Sequence, residues 1–446
     1  MLRQKVWKTC WVAIPVGIIF LANSMNTWAA PVELSLHESI ALALRNNPAV
    51  KIAEADQSQA VWAVAEIRGE FGPGLKYDHT YSRAEIAAST LNDDLLGYLS
   101  GSALKSNGFR NRITLNLPLY TGGRRAGLLG QAEDNLYAAR LEVKKAKQQL
   151  AFDTTTAYFN ALQARSLLEI SQESMENLTA HLKNVQVKYE EGLVTKAEVL
   201  RAEVELANAG QDLMTAQNDY NLAIDSLNNV MGLPLDHEIT ITATGNGAIA
   251  YESDTRTLEE CIQYARRNHP AVIQSQIRVN AAKQGVKAEK SGNLPQISLN
   301  GSNDWYDEDF PGAKESYWMV SLTASLNVFD AGVVKSKVKQ AESKMDKARQ
   351  QARQAEEAAA LDVSKAYHDL RAAENRIATT KGVVDKAREI FRITEIRYRE
   401  GAGTNLDVID AQLTLAQAKT KHNQARYDYC RSKAKLMQAM GMDQDT

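Results

Sequence analysis

The chain has 446 residues, 44% of them hydrophobic and 24% charged, and a formal net charge of −2. That balance excludes both an intrinsically disordered chain and a bundle of membrane-spanning helices, and the length allows a large core. The near-neutral, slightly acidic charge argues against nucleic acid as a partner.

At the N-terminus, Arg3, Lys5 and Lys8 precede an apolar run from Cys10 to Ala22, followed by NSMNTWAA. This order predicts a secretory signal peptide over 1–29, with Thr27 and Ala29 before the cut; a cut after Ala30 would place the bulky Trp28 at the outer recognition position. The apolar run is about a dozen residues, short of the roughly 20 that a spanning helix needs. Cys10 lies at the start of that run, so no cysteine is placed to carry a lipid at the mature end. Removal of the peptide leaves 49 basic against 54 acidic residues, a net charge of −5. Cys261 and Cys430 remain, without metal-ligand spacing, and their contexts leave a disulfide and two buried free thiols both open.

The rest of the chain is an internal duplication. LHESIALALRNNPAV at Leu36–Val50 matches LEECIQYARRNHPAV at Leu258–Val272 with an offset of 222. From YTGG at Tyr120 against FDAG at Phe329 the offset is 209, and it holds to Met231-Gly232 against Met440-Gly441. The first repeat, 30–232, reads as a helix over 36–70, strands over about 74–83 and 109–119, a long helix from about Arg124 to Glu191, a tip over 189–200 and a return helix over 196–231. A linker over 233–257 leads to the second repeat, 258–441. There the strands fall at about 296–305 and 317–329, the long helix runs from Val333 to about Glu400, and the tip covers 398–409. Residues 442–446 form a tail.

In the second long helix Val363, Leu370, Ile377, Val384, Phe391 and Tyr398 recur every seven residues, with small Ala366, Ala373, Thr380, Ala387 and Thr394 three positions after the first five. That is a coiled-coil seam with close approach on one side. The first repeat carries a weaker stripe, Ala161, Leu168, Met175, Leu182 and Tyr189. Helices of this length reach about 100 Å at 1.5 Å per residue, far beyond the needs of a globular core.

The strands alternate. Trp318, Val320, Leu322, Ala324, Leu326 and Val328 are interleaved with Met319, Ser321, Thr323, Ser325 and Asn327, and Ile113, Leu115, Leu117 and Leu119 with Arg112, Thr114 and Asn116. Such segments suit the lipid and lumen faces of an outer-membrane barrel, and Tyr120, Trp305, Tyr306, Tyr317, Trp318 and Phe329 suit its aromatic girdles. Four strands are too few to close a barrel, and lipid tolerates no open sheet edge, so the alternation predicts assembly of several chains.

On the two-fold repeat, NNPAV and NHPAV, the YTGG and FDAG turns and the paired tips YEEGLVTKAEVL and YREGAGTNLDVI, the chain resembles the TolC family of outer-membrane efflux and secretion channels. The resemblance covers essentially all of the mature sequence. It implies a mixed α/β membrane protein, mainly α: a homotrimer whose 12-stranded β-barrel lies in outer-membrane lipid and continues as a long antiparallel α-helical coiled-coil barrel across the periplasm. It also implies a periplasmic adaptor protein and an inner-membrane efflux pump or ABC exporter as partners. Asp407 and Asp410 in LDVID match the family's tunnel constriction, and a spacing of three puts both carboxylates on one helix face. In a trimer they form two acidic rings; first-turn acids that merely favour a helix N-terminus are the competing reading. Tyr398 and Glu198 occupy the positions of the family's closed-state latch, with Glu in place of Asp. Ala197 and Gly403 depart from the family's hydroxyl and arginine at those places. Gly192, Leu193, Val194 and Thr195, with Gly401, Ala402, Gly403 and Thr404, correspond to the tips that contact the adaptor, where solvent-exposed turn residues are the plainer alternative.

No HExxH, GxSxG, Walker loop or CxxC pair is present, so the sequence points to no enzyme, cofactor or metal site. GGRRAGLLG at Gly122–Gly130 follows a strand but lacks dinucleotide-binding spacing. A periplasmic coiled-coil structural or adhesive protein explains the heptads and leaves the alternating strands unexplained. A general diffusion porin explains the strands and leaves the helices unexplained.

Overall fold

The computed structural model describes residues 32–86, 104–242 and 255–443. The expected signal peptide and the last three residues of the tail lie outside them. The first repeat comprises β1 (Val32–Leu34), α1 (Leu36–Asn46), α2 (Pro48–Glu70), β2 (Gly74–Ile86), β3 (Leu104–Tyr120), α3 (Arg124–Glu190) and α4 (Lys196–Met231). After β4 (Ile239–Ile241), the second comprises α5 (Leu258–Asn268), α6 (Pro270–Lys290), β5 (Gln296–Asp307), β6 (Glu315–Ser325), α7 (Val333–Arg399) and α8 (Asn405–Met440).

The helix expected over 36–70 is two helices. Asn47 is extended, its side chain accepts the Ala49 amide 2.8 Å away, and Pro48 opens the next helix with the φ that position needs. His269 and Pro270 repeat the device. Both first helices begin with a reciprocal capping box, Ser35 with Glu38 and Thr257 with Glu260.

α3 and α7 each run for 67 residues without a break, about 100 Å at 1.5 Å per residue. The heptad stripe of α7 is its buried edge: Val363, Ala366, Leu370, Ala373 and Ala387 are all nearly inaccessible. α7 pairs with α8 and α3 with α4 as two antiparallel hairpins, and α3 also packs against α8, α6 and α2. Where α3 meets α6 the backbones nearly touch, since a Cβ on Gly127 would lie 2.7 Å from the Ala288 nitrogen.

The linker is not purely a connector. β4 pairs in parallel with β1, and this two-stranded sheet is pinned on α3, where the Tyr158 hydroxyl donates to the carbonyls of Leu34 and Thr242, 3.0 and 2.6 Å away. Leu34, Ile239 and Ile241 join the core of Ala157, Tyr158, Leu162, Leu227 and Met231. Cys261 and Cys430 are not joined in a disulfide, and burial pushes the Cys430 thiol up to about 11.

The second sheet has the order β2-β3-β5-β6, antiparallel throughout. Its strands differ from expectation mainly at β3, which begins at 104 rather than about 109, and at β6, which spans 315–325 rather than about 317–329. Ser325 pairs with Gln296, the first residue of β5, so Leu326–Phe329 run past the end of their partner. Among the described residues no helix is long and apolar enough to cross a membrane.

Candidate functional site

The register gives the four-stranded sheet two chemically distinct faces, because directly opposed residues share a face and neighbours along a strand alternate. Leu75, Leu115, Gly301 and Val320 form one cross-strand row; Tyr77, Ile113, Asn303 and Trp318 form the next, and Leu117, Leu299 and Leu322 a third. On this face Leu75, Trp318 and Leu322 are 74%, 76% and 67% exposed. The opposite face carries Lys76, Thr114, Ser302 and Met319 in one row, Asp78, Arg112, Asp304 and Tyr317 in another, and Asn116, Asn300 and Ser321 in a third, so these rows are polar except at Met319. Asp304 is buried there between two cations, 2.6 Å from Arg112 Nε and 3.1 Å from Arg110 Nε. Such a sheet has an apolar side fit for hydrocarbon and a hydrogen-bonding side fit for water. The outer edges of β2 and β6 are unpaired among the described residues.

All four strand-to-helix connections lie at one end of this sheet, so the helices lead away from it and the hairpin tips fall at the far end. Each long helix stops at a glycine in the left-handed region, Gly192 at φ +73° and Gly401 at φ +77°. There the amides of Leu193 and Ala402 reach back to the carbonyls of Lys188 and Arg397, each 2.8 Å away. A side chain in that conformation is strained, which explains the glycines. Leu193 is 69% exposed, Gly192, Thr195, Ala402 and Thr404 are exposed beside it, Gly403 is half-buried, and Val194 packs against the cluster of Val185, Val199, Tyr398 and Val408.

The second tip is tied to the first by Asn405 and Tyr398. Asn405 is buried, with Oδ1 2.6 Å from His181 Nε2 of α3 and Nδ2 donating to the Glu198 carbonyl at 2.9 Å. Tyr398 packs with Val185, Val199, Ala202 and Val408. Lys188 Nζ lies 4.1 Å above its ring and donates to its carbonyl. Tyr398 and Glu198 line one groove, and the glutamate charge adds to the burial that raises the phenol's pKa. The two side chains form no hydrogen bond: the Tyr398 hydroxyl is buried with no partner among the described residues.

Asp407 has a local task. Its carboxylate accepts the Thr404 amide at 2.9 Å while the Thr404 hydroxyl accepts the Asp407 amide at 3.2 Å, closing a capping box at the start of α8. These bonds hold the carboxyl below its ordinary value. Asp410, one turn on, is exposed beside it on the same side of α8, while Val408, Ile409 and Ala411 are buried. The pair presents its carboxylates outward from the chain.

Sequence reasoning missed the polar ladder joining α3 to α8. Arg431 donates to Asn160 and Gln163, Lys419 pairs with Glu173, Gln412 bonds Ser174 and Asn177, and Asn405 meets His181. These residues lie at irregular offsets on two different repeats, so no single-repeat periodicity exposes them. A groove of about 320 Å³ opens on this seam near the tip, between His181, Lys188, Glu395 and Tyr398.

The outer membrane efflux protein family profile matches residues 39–233 and 261–442. The chain is 24% identical over 412 residues to the outer membrane protein TolC of Escherichia coli strain K12, covering 89% of this chain and 80% of that protein. It is 21% identical over 445 residues to the outer membrane efflux protein BepC of Brucella suis, covering 99% and 92%. The Campylobacter jejuni CmeC outer membrane channel shares its fold, with a TM-score of 0.79 at 17% identity over 98% of this chain and 95% of that one.

Proposed function

The chain belongs to the outer membrane efflux protein family, and from that premise we propose that it is the outer-membrane channel of a tripartite efflux or type I secretion system. It conducts substrates passively from an inner-membrane transporter and its periplasmic adaptor across the periplasm and the outer membrane. The observation that carries this reading is one chain holding a two-faced four-stranded sheet at one end and two 67-residue helices that lead away from it. A homotrimer supplies 12 strands, which closes the open edges of the sheet against lipid.

The gate lies at the helical tips. Asp407 and Asp410 line the constriction, where two acidic rings favour cations, and the tip turns at 192–195 and 401–404 receive the adaptor. Support comes from the outward carboxylates and from the seam between hairpins, which is polar and hydrogen-bonded over much of its length. Polar contacts exchange for water with little net cost, so such a seam opens more readily than the alanine-lined seams within each hairpin. Tyr398 and Glu198 hold the closed tip through the packing of the phenol ring.

The test is ion conductance of the purified mature protein in a planar bilayer under a salt gradient, against Asp407→Ala/Asp410→Ala. Cation selectivity that falls in the double variant supports the channel and its constriction. Unchanged selectivity places the constriction elsewhere, and no conductance from assembled oligomers, with release from outer membranes by a salt wash, favours a periplasmic coiled-coil protein.

A further inference from the structure

Charge is distributed unevenly along α7. Residues 333–353, next to the sheet, hold seven basic residues and two acidic ones, whereas residues 354–374 hold two basic and five acidic. The cations gather where strands become helices. Arg124 and Arg125 begin α3 just after β3, Lys287 and Lys290 end α6 just before β5, and Lys335 and Lys337 lie in the first turns of α7. All six are exposed. Among the described residues Lys290 is the one of the six with an ion pair, to Glu342 at 4.0 Å, and that carboxylate is already taken by Lys339 at 2.8 Å. Asp330, the acid nearest α7, spends its oxygens on the amides of Gly332 and Val334.

The same junctions carry exposed apolar side chains. Val328 and Phe329 are 91% and 86% exposed immediately before α7, and Leu119 and Tyr120 stand open before α3. In chain order each junction therefore reads as an apolar strand face, exposed aromatic or aliphatic residues, then unpaired cations. That is the sequence of environments met on leaving a bilayer: hydrocarbon, interface, headgroups.

We propose that these cations form a collar that binds the anionic phospholipid headgroups of the periplasmic leaflet and fixes the height of the barrel in the membrane. The proposal rests on the outer-membrane reading of the sheet and goes beyond it by naming a lipid class and the residues that select it. Phosphates at the headgroup level meet two arginines and four lysines per chain. The hydrocarbon beneath them covers Val328 and Phe329, so the electrostatic and apolar contacts reinforce each other.

The experiment uses the purified full-length mature oligomer in detergent, titrated with phosphatidylglycerol or phosphatidylcholine of the same chain length, with retained lipid counted by native mass spectrometry. Wild type is expected to retain phosphatidylglycerol preferentially, and less so in 0.5 M salt. Arg124→Gln/Arg125→Gln combined with Lys335→Gln/Lys337→Gln is expected to lower that preference by about tenfold or more while leaving phosphatidylcholine retention unchanged. Lys381→Gln/Lys386→Gln removes two charges from exposed positions far down α7 and is expected to keep the preference. Equal retention of the two lipids by wild type overturns the proposal, as does an equal loss in the Lys381/Lys386 control. Displacement by inorganic phosphate at matched concentration would reassign the cations to a free-anion site, and displacement by soluble peptidoglycan fragments would reassign them to the cell wall. Failure of the protein to retain any lipid, of either class, would instead count against the barrel itself.

Discussion

Tyr398 is 5% exposed, whereas Tyr189, its counterpart at an offset of 209, is 42% exposed. Thr404 and Asp407 close a capping box, whereas Thr195, the counterpart of Thr404, makes no side-chain cap and Glu198 stands where Asp407 does. The two tips spell nearly the same phrase and fold to the same turn, yet only the second is locked to its neighbour within the chain. Local geometry is therefore written in the repeat, and the lock is written in what each tip faces. Tyr398 faces His181 and Val185 of the other hairpin. The equivalent positions on the second hairpin are Ile390 and Thr394, and Ile390 is 52% exposed. In the proposed trimer, Tyr189 of an adjoining copy would have to pack against Ile390 and Thr394 to be buried as Tyr398 is.

The largest expected effect is Tyr398→Ala, which empties the seat between hairpins and costs about 3 kcal/mol of local stability. Tyr189→Ala is expected to change the fold of a single chain by less than about 0.5 kcal/mol and to weaken assembly instead. Hydrogen exchange of the amides at 391–408 and 182–200, beside the trimer dissociation midpoint, checks both. Tyr398→Phe sharpens the contrast: it removes a hydroxyl with no described partner, so it should be neutral. A loss above about 1 kcal/mol would mean that the hydroxyl gains a partner in the assembly, as a latch to Glu198 requires.

Next is the bond that crosses the seam. Asn405→Ala leaves the Glu198 carbonyl and His181 without their amide partner, at a cost of about 1–3 kcal/mol, whereas Lys196→Ala at the equivalent first-tip position removes no such bond. The same contact carries a pH dependence. Burial holds the His181 imidazole below its ordinary 6.5, with Asn405 and the Glu395 charge opposing and Lys188 adding to the depression. A depressed folded value means that the neutral form is favoured in the fold. The stabilisation is full above the unfolded value near 6.5 and is lost as pH falls through the folded value. Protection factors at 398–409, taken against the intrinsic exchange rate at each pH, should therefore fall as pH drops below 6.5, and His181→Gln should flatten that response.

Much of the architecture was legible. Seven-residue spacing from Val363 to Tyr398 gave α7 its buried edge, and alternation through Trp318–Ala324 gave the sheet its faces, because both periods follow directly from backbone geometry. Pro48 in NNPAV falls inside the helix expected over 36–70, yet it opens a second helix, because its fixed φ and missing N–H suit a first turn. SLHE at Ser35 and TLEE at Thr257 have the spacing of capping boxes, and both form them. The short strands β1 and β4 were illegible for a different reason: three residues each carry no period, and what holds them is Tyr158, more than 80 positions away from either. The faces of Asp407 and Asp410 follow from their spacing; what they line depends on other copies of the chain.

The smallest effect tests whether the two turns differ intrinsically or only through their neighbours. Thr404→Ala removes the hydroxyl that caps α8 and should cost about 1 kcal/mol, while Thr195→Ala removes a hydroxyl that caps nothing and should cost a few tenths at most. Asp407 completes the box from the other side, and its depressed carboxyl fixes the sign of the acid response. Its contribution is present above the ordinary carboxylate value of 3.8 and lost as pH falls through the lower folded value. At pH 5 the histidine response is therefore under way while the cap is intact, and the two separate cleanly. If Thr195→Ala proves as costly as Thr404→Ala in the assembled protein, the first tip acquires its own cap on meeting a neighbour. The asymmetry would then belong to the single chain and vanish in the closed ring.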